Sequence, residues 1–292
     1  MTYIGRFAPS PTGPLHFGSL LAALASYLDA RANQGQWFLR IEDLDPPREM
    51  PGATDLILFC LEKFGFEWNG SVIRQSDRSE IYQDRLQALL KSDLAYRCNC
   101  SRQQIKQRTG SSLYDRFCYS HPPAKTELCA VRCLCDTDIP FQDLILGQQQ
   151  FPEYTDDFVI HRRDGLFAYQ LAVTVDDAEQ NISHIVRGSD LLDSTPKQLH
   201  LQRLFNYPQP LYAHIPVATN SQGQKLSKQT FARPLNQSDP VPQLGQALQF
   251  LGQQPEPDIL SCPAPELLRW ATENWKIERI PASTAIEWKE AD

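Results

Sequence analysis

The chain has 292 residues, of which 41% are hydrophobic and 22% charged, and these proportions exclude long intrinsic disorder. Its 28 basic and 35 acidic residues give a formal net charge of −7, which excludes indiscriminate nucleic-acid binding through a broad basic surface but not a local basic groove. The sequence contains no apolar run of about 18 residues, so we expect no membrane span. The first residues do not have the pattern of a signal peptide. We therefore expect a cytoplasmic protein without a membrane partner, long enough for about two domains.

The first part of the sequence predicts a strand, a helix and a second strand in succession. Residues 3–8 have strand character and end at a proline-rich segment, 9–14. Leucines at helical spacing follow, and residues 37–41 form the next strand. This order is typical of a βαβ unit, which implies a parallel sheet with a right-handed crossover. Two more helices are predicted over 53–64 and 79–92.

The middle of the chain differs in character. Six of the eight cysteines lie in a polar stretch without periodicity, 97–136, which indicates an insertion rather than core. Regular structure returns at 158–160 and 167–173, and a helix is predicted over 194–205. A linker follows at 233–242, and the last 50 or so residues have a helical pattern.

These patterns divide the α/β chain into four predicted segments. We expect the first half of a nucleotide-binding α/β domain in 1–94 and an insertion with a zinc site in 95–165. The second half of the α/β domain, with a lysine loop, is predicted for 166–235, and a helical C-terminal region for 236–292.

The segment 9–19, PSPTGPLHFGS, joins the first strand to its helix. A turn here directs backbone N–H groups and the positive end of the helix towards the carboxyl edge of the sheet, where open α/β sheets bind ligands. His16 would donate to bound phosphates, and Gly18 would let a base or ribose approach the backbone. The alternative is a proline-rich structural turn with a helix-capping histidine.

A second motif, KLSKQ, occupies 225–229 after a turn-like segment. Lys225 and Lys228 would close over a polyphosphate and neutralise the charge that develops on it. A solvated lysine-rich loop is the alternative interpretation.

In this order, about 200 residues apart, the two motifs resemble the HIGH and KMSKS signatures of the class I aminoacyl-tRNA synthetases. The sequence departs from those signatures at Ser19, Leu226 and Gln229. The resemblance implies that His16, Lys225 and Lys228 are catalytic, that His16, Gly18 and Lys228 bind ATP, and that Mg²⁺ accompanies ATP. Because Ser19 replaces the last histidine, His16 would carry more of the phosphate-binding role.

The segments 6–13, 40–45 and 185–190 are similar to the glutamyl-tRNA synthetase pattern, and the resemblance covers about 3–232. Only about 60 residues follow the lysine loop, so the sequence resembles the short paralogues of that family. The implied fold is a Rossmann-like parallel sheet with a zinc-containing insertion and a short helical C-terminal domain. The implied reaction is tRNA-independent, ATP-dependent activation of L-glutamate to glutamyl-adenylate, followed by transfer to the queuosine base in the anticodon of tRNA(Asp). We expect a monomer.

An amino-acid site is also indicated by the residues themselves. Glutamate needs an acid for its ammonium and fixed cations for its carboxylates, and guanidinium groups suit carboxylates well. Glu42 follows the second predicted strand, and Arg6 lies where the first predicted strand ends, at the same edge of the sheet. A surface salt bridge is the alternative interpretation of Glu42. The resemblance implies a glutamate site formed by Arg6, Phe7, Ala8, Pro9, Ser10, Glu42, Tyr169 and Arg187.

The cysteine-rich stretch predicts a metal site, because thiolates bind zinc and a small insertion gains stability from it. The resemblance implies one structural Zn²⁺ held by Cys98, Cys100, Tyr114 and Cys118. Spacing alone leaves other ligands open, and free buried thiols are the alternative. The competing ligands are Cys129, Cys133, Cys135 and His121.

A local basic face for the anticodon arm is predicted around the insertion. Its candidates are Arg97, Arg102, Lys106, Arg108, Arg116, Arg162 and Arg163, with ordinary solvated charge as the alternative. Two other functions stay open at this point: a compact glutamyl-tRNA synthetase that charges tRNA(Glu), and a non-catalytic zinc-containing RNA-binding paralogue.

Overall fold

A computed structural model describes residues 2–136, 139–151, 156–226 and 233–288. The strands in this part of the chain are β1 (Ile4–Phe7), β2 (Gln36–Ile41), β3 (Ile73–Arg74), β4 (Ala95–Cys98), β5 (Ala130–Cys133), β6 (Phe141–Asp143), β7 (Gly147–Gln149), β8 (Phe158–His161), β9 (His184–Gly188), β10 (Leu211–Ile215), β11 (Val217–Thr219) and β12 (Ala285–Glu287). The helices are α1 (Phe17–Ala32), α2 (Ala53–Lys63), α3 (Ser79–Lys91), α4 (Arg102–Thr109), α5 (Phe117–Ser120), α6 (Tyr169–Glu179), α7 (Thr195–Leu204), α8 (Pro240–Phe250) and α9 (Ala264–Asn274).

Two sheets with parallel pairing form the centre of the molecule. In the first, β1 pairs with β2 and β2 with β3, all in parallel. In the second, β10 is parallel to both β9 and β6, while β7 adds to β6 in the antiparallel sense. Ser183 joins the two sheets, because its N–H donates to the Ile4 carbonyl at 2.9 Å and its hydroxyl accepts the Ile4 N–H at 2.8 Å. The predicted parallel α/β fold is confirmed.

Helix α1 lies in the main core. Its leucines at helical spacing are almost completely buried, and they pack with β1, β2, α8 and α9. The helix ends where the chain must turn back at once into β2. Gly35 is required there, because a Cβ atom at this position would lie 2.5 Å from the Tyr3 carbonyl oxygen.

The cysteine-rich part of the chain contains a small antiparallel sheet, in which β5 pairs with β4 and β8. This sheet has its own apolar core with α3 and α6, which includes Val131, Cys133 and Ile160. The polar, periodless sequence pattern did not predict β4 and β5, whereas β8 lies where regular structure was expected, at 158–160. Strand β6 also lies in the range predicted as an insertion, yet it pairs with β10 in the central sheet.

Helices α8 and α9 provide the predicted helical C-terminal region and pack on α1. The helical pattern did not include β12, which pairs in parallel with β11. Within the described ranges, no helix combines the length and the apolar character needed to cross a bilayer.

Candidate functional site

A cavity of about 800 Å³ opens at the carboxyl ends of β1, β2, β9 and β10. This is the edge at which open parallel sheets bind ligands. Nearly all of the predicted glutamate and ATP residues line this one cavity, although they come from separate parts of the chain. They are Arg6, Phe7, Ala8, Pro9, Ser10, His16, Gly18, Glu42, Tyr169, Arg187 and Lys225. Lys228 lies outside the described residues.

The backbone places Glu42 at the cavity by a direct link between two strand ends. Glu42 follows β2, and its N–H donates to the Pro9 carbonyl at 3.0 Å. The proline-rich segment after β1 and the acid after β2 are therefore held side by side. The Glu42 carboxylate also accepts a hydrogen bond from Arg40 at 3.3 Å.

A buried ionic network supports this wall of the cavity. Arg6 forms a two-pronged contact with Asp177, at 3.1 and 3.4 Å, and Arg40 donates to the same carboxylate at 2.8 Å. Burial alone would raise the pKa of Asp177, but the two guanidinium charges outweigh it and hold that pKa below its usual value. Burial raises the pKa of Glu42, although Arg40 and Arg6 oppose the rise. The positive charge of Arg6 is thus already balanced within the protein.

Arg187 is as deeply buried as Arg6, at 4% exposure, but its hydrogen-bond partners are of a different kind. Its Nε donates to His214 at 3.1 Å, and its two terminal nitrogens donate to Gln198 at 2.9 Å and Thr195 at 2.7 Å. One terminal nitrogen also lies 3.4 Å from the Tyr169 hydroxyl, which faces the cavity. All of these partners are neutral, and none of the described residues places a carboxylate against the Arg187 guanidinium. A buried cation without an anion attracts a carboxylate ligand.

His16 is the N-cap residue of helix α1. Its Nδ1 accepts the Ser19 N–H at 3.4 Å, so the ring caps the helix. In the neutral ring the proton then lies on Nε2, which makes that nitrogen a donor. The structural and the functional interpretations of His16 are therefore compatible. Gly18 stands against the His16 ring, and a Cβ atom there would lie 3.2 Å from it and 3.5 Å from the Leu226 carbonyl.

Lys225 extends from the segment that follows β11. Its Nζ forms an ion pair with the Asp190 carboxylate at 2.5 Å, and both residues line the cavity. The Leu226 N–H donates to the Ala218 carbonyl at 2.8 Å, which fixes the start of the lysine loop next to β11.

A second cluster lies in the insertion, where the sulfur atoms of Cys98, Cys100 and Cys118 are all within 4.8 Å of one another. The Tyr114 hydroxyl lies 3.2 Å from the Cys98 sulfur and 3.8 Å from the Cys100 sulfur. The Cys100 and Cys118 sulfurs are 3.3 Å apart, close to the separation of about 3.8 Å that two thiolates have on a tetrahedral zinc. The donor set therefore fits a zinc ion.

The competing ligands are placed elsewhere. Cys133 and Cys135 are buried in the apolar core of the small antiparallel sheet. The His121 ring stacks on Phe117, with its Nδ1 3.2 Å from that residue's carbonyl oxygen. Among the described His, Cys, Asp and Glu side chains, the three cysteines form the one group close enough to share a metal ion.

Most of the predicted basic face is engaged in internal contacts. Arg108 pairs with Asp115, and Arg116 pairs with Asp157. Arg162 contacts Asp164. Arg97 donates to the Ala124 and Glu127 carbonyls, and Arg163 donates to the Asn99 carbonyl. Arg108, Arg116 and Arg162 therefore have less charge to offer an RNA than the sequence suggested, because carboxylates balance them. The partners of Arg97 and Arg163 are neutral carbonyls, which orient these guanidinium groups without balancing their charge.

Sequence reasoning missed Asp190, which lines the cavity. It also missed residues that support the lining side chains, directly or through one other residue, namely Arg40, Asp143, Asp176, Asp177 and His214. A signal was present for some of them. Arg40 and His214 interrupt apolar strands, and Asp176 and Asp177 end an apolar helical run. A charged or polar side chain in a buried element needs a partner, so each of these positions predicts a polar contact, although not which one.

The fold and this cavity define an ATP-dependent synthetase of the class I type. Residues 4–245 match the family described as tRNA synthetases class I (E and Q), catalytic domain. A crystal structure of a glutamate tRNA ligase from Elizabethkingia meningosepticum, in complex with its amino acid, superposes with a TM-score of 0.80 at 25% identity. The superposition covers 99% of this chain and 67% of that one.

Full-length similarity narrows the family further. A glutamyl-Q tRNA(Asp) synthetase from Ectopseudomonas mendocina is 50% identical over 289 residues, covering 97% of each chain. The protein of the same name from Pseudomonas syringae pv. tomato is 49% identical over 288 residues, covering 98% of this chain and 97% of its own. The chain therefore belongs to the class I tRNA synthetases for glutamate and glutamine and, within them, to the glutamyl-Q tRNA(Asp) synthetase family of ligases.

Proposed function

We propose that the protein activates L-glutamate with ATP, without tRNA, and transfers the glutamyl group to the queuosine base in the anticodon of tRNA(Asp). One observation carries the amino-acid part of this proposal: the cavity combines the Glu42 carboxylate with a buried Arg187 that has no carboxylate partner among the described residues. The names of the relatives support the choice of acceptor.

In the proposed binding mode, Glu42 accepts hydrogen bonds from the ammonium of glutamate. Arg187 and the Tyr169 hydroxyl bind the side-chain carboxylate, because Arg187 is set into the cavity wall while the α-carboxylate must remain free to meet ATP. Glutamine would leave the Arg187 charge uncompensated, which is the kind of mismatch that gives large discrimination between isosteric substrates.

In the first step, an α-carboxylate oxygen of glutamate attacks the α-phosphorus of ATP in line. A new P–O bond forms, the bond to the bridging oxygen breaks, and pyrophosphate leaves. The Nε2 proton of His16 and the ammonium groups of Lys225 and Lys228 stabilise the charge on the phosphates. Class I synthetases use ATP with Mg²⁺, which neutralises part of the same charge.

In the second step, a hydroxyl of the queuosine cyclopentenediol attacks the carbonyl carbon of glutamyl-adenylate. An ester forms, AMP leaves with the electrons of the broken C–O bond, and the hydroxyl proton passes to a phosphate oxygen of the leaving AMP.

For the insertion, we propose that Cys98, Cys100, Cys118 and Tyr114 hold one structural zinc ion, which stabilises a loop segment that has little apolar core of its own.

The test uses radiolabelled glutamate, ATP and purified tRNA species. We expect label on tRNA(Asp) that contains queuosine, in the fragment with the anticodon, and its release by mild base. Removal of the 3′-terminal adenosine should leave the labelling unchanged. A tRNA(Asp) without queuosine is the control, and it should remain unlabelled. Label on the 3′ end of tRNA(Glu) would instead identify a compact glutamyl-tRNA synthetase.

A further inference from the structure

A buried pair of side chains, His214 and Asp143, supports Arg187 without lining the cavity. His214 on β10 is fully buried, and its Nε2 accepts the hydrogen bond from Arg187 Nε at 3.1 Å. Its Nδ1 lies 2.6 Å from a carboxylate oxygen of Asp143, which is also buried. The three residues thus form a continuous chain from β6 through β10 to β9.

The hydrogen-bond partners allow only one protonation pattern. A guanidinium can only donate, so Nε2 of His214 must carry the lone pair. The Asp143 carboxylate can only accept, so Nδ1 must carry the proton. Burial lowers the pKa of His214 to about 4, against the opposing hydrogen bond to Asp143, and the ring is therefore neutral at pH 7.

Asp143 is held rigidly in its acceptor role. One carboxylate oxygen accepts the N–H groups of Ile145 and Leu146, both at 2.9 Å. The other oxygen accepts the His214 backbone N–H at 3.1 Å as well as the ring N–H. No orientation of an amide in this place would avoid pointing N–H groups at N–H groups.

We propose that Asp143 and His214 are positioning residues that orient the Arg187 guanidinium for the substrate carboxylate without neutralising it. This rests on the proposed role of Arg187 in glutamate binding. The arrangement contrasts with Arg6, whose guanidinium contacts Asp177 directly and is balanced by it. The neutral imidazole keeps the Asp143 charge one residue away, so the carboxylate that directly balances Arg187 is supplied by the substrate.

The pair therefore determines specificity as well as affinity. Arg187 presents a fixed edge towards Tyr169 because its other N–H groups donate to His214, Gln198, Thr195 and the Leu191 carbonyl. A guanidinium free to tilt would lose the geometry that distinguishes a carboxylate from a carboxamide.

The experiment is glutamate-dependent ATP–pyrophosphate exchange by the full chain and its variants. Asp143→Asn favours the other imidazole tautomer, so an N–H of His214 then faces Arg187. We expect the KM for glutamate to rise by about tenfold to a hundredfold, the range for a lost hydrogen bond to a charged group. The KM for ATP should stay unchanged. His214→Phe should also raise the KM for glutamate. The rise should be smaller in His214→Gln than in His214→Phe, because the side-chain oxygen of glutamine can accept a hydrogen bond from Arg187.

Tyr212→Phe is the matched control. Tyr212 is buried on the same strand, and the change removes its hydrogen bond from Gln202 at 3.0 Å but keeps the ring. It should lower stability without changing the KM for glutamate. The ratio of kcat/KM for glutamate over glutamine is the second readout, and it should fall in Asp143→Asn and His214→Phe but not in the control.

Two failures are distinguishable. If the wild-type protein shows no glutamate-dependent ATP–pyrophosphate exchange, the proposed function itself is disproved. An active wild type whose folded Asp143→Asn and His214→Phe variants keep the wild-type KM for glutamate and the wild-type discrimination would disprove the positioning role and leave the proposed function intact.

Discussion

The Lys225 ammonium lies 2.5 Å from the Asp190 carboxylate at the edge of the cavity, so the first lysine of the loop is paired with an acid before any phosphate arrives. Both side chains are more than one-third exposed, at 44% and 35% for Lys225 and Asp190. A pair in such surroundings is worth at most about 1 kcal/mol, which a polyphosphate can readily replace.

Asp190→Asn tests this exchange of partners. Because the pair competes with ATP for Lys225, we expect the KM for ATP to fall by no more than about fivefold, with kcat nearly unchanged. Lys225→Met should instead lower kcat by roughly tenfold to a hundredfold. Steady-state pyrophosphate exchange measures both. A loss of kcat in Asp190→Asn as large as in Lys225→Met would mean that Asp190 itself acts on the substrate.

Glu42 gives a prediction about pH. Its carboxylate must be ionised to accept the ammonium of glutamate, and burial raises its pKa above the ordinary value. Affinity is therefore full above this raised pKa and is lost as the pH falls through it. We expect the KM for glutamate to rise on the acid side at a higher pH than the value of about 4.3 at which a free glutamate side chain titrates.

Glu42→Gln is the control for this assignment. It should raise the KM at neutral pH by about tenfold to a hundredfold and should flatten the acid limb of the profile. An acid limb that persists unchanged in Glu42→Gln would assign it to another group.

The sequence identified which residues meet in the cavity but not how their charges are balanced. The motifs place Arg6 and Arg187 at one sheet edge, because strand ends of a parallel sheet converge there. They do not show that Asp177, on a distant helix, balances Arg6 while a neutral His214 supports Arg187. That distinction depends on side-chain contacts over 171 and 27 residues, which periodicity and spacing do not encode. Strand β6 was missed for a similar reason, since three residues carry little pattern and their pairing with β10 is non-local.

Arg40 is predicted to be critical for stability. It is fully buried and pairs with Asp177 at 2.8 Å and Glu42 at 3.3 Å. Arg40→Met would leave these carboxylates buried with one cation fewer, at a cost of about 3–5 kcal/mol in the free energy of unfolding. Urea denaturation measures this change. Arg48→Met is the control: its pair with Asp45 is exposed on the arginine side, and it should leave the unfolding midpoint unchanged.

Metal analysis tests the cysteine cluster. We expect about one zinc ion per chain, and its loss in Cys98→Ser and Cys118→Ser, because three sulfurs and one phenol oxygen form the donor set. Cys129→Ser is the matched control, since Cys129 lies in the same stretch but outside the cluster, and it should retain the metal. If both cluster variants keep zinc and Cys129→Ser loses it, the metal is bound by the competing ligands instead.

Trp288 connects the C-terminal strand to both signature segments, and it provides the last prediction. Its indole stacks on Phe17, next to His16, with ring centroids 4.4 Å apart. Its backbone N–H donates to the Thr219 carbonyl at 2.8 Å, just before the lysine loop. Trp288→Ala should cost about 1–2 kcal/mol of stability, from the lost stacking and apolar burial. It should also raise the KM for ATP by roughly tenfold, because the segment that carries His16 loses the ring stacked on Phe17, while the backbone bond to Thr219 and the KM for glutamate are unchanged. Trp270→Ala, which removes an indole of α9 from the same core, is the control: it should lower stability without affecting the KM for ATP. An equal rise of the KM for ATP in Trp288→Ala and Trp270→Ala would show that Trp288 contributes only to general stability.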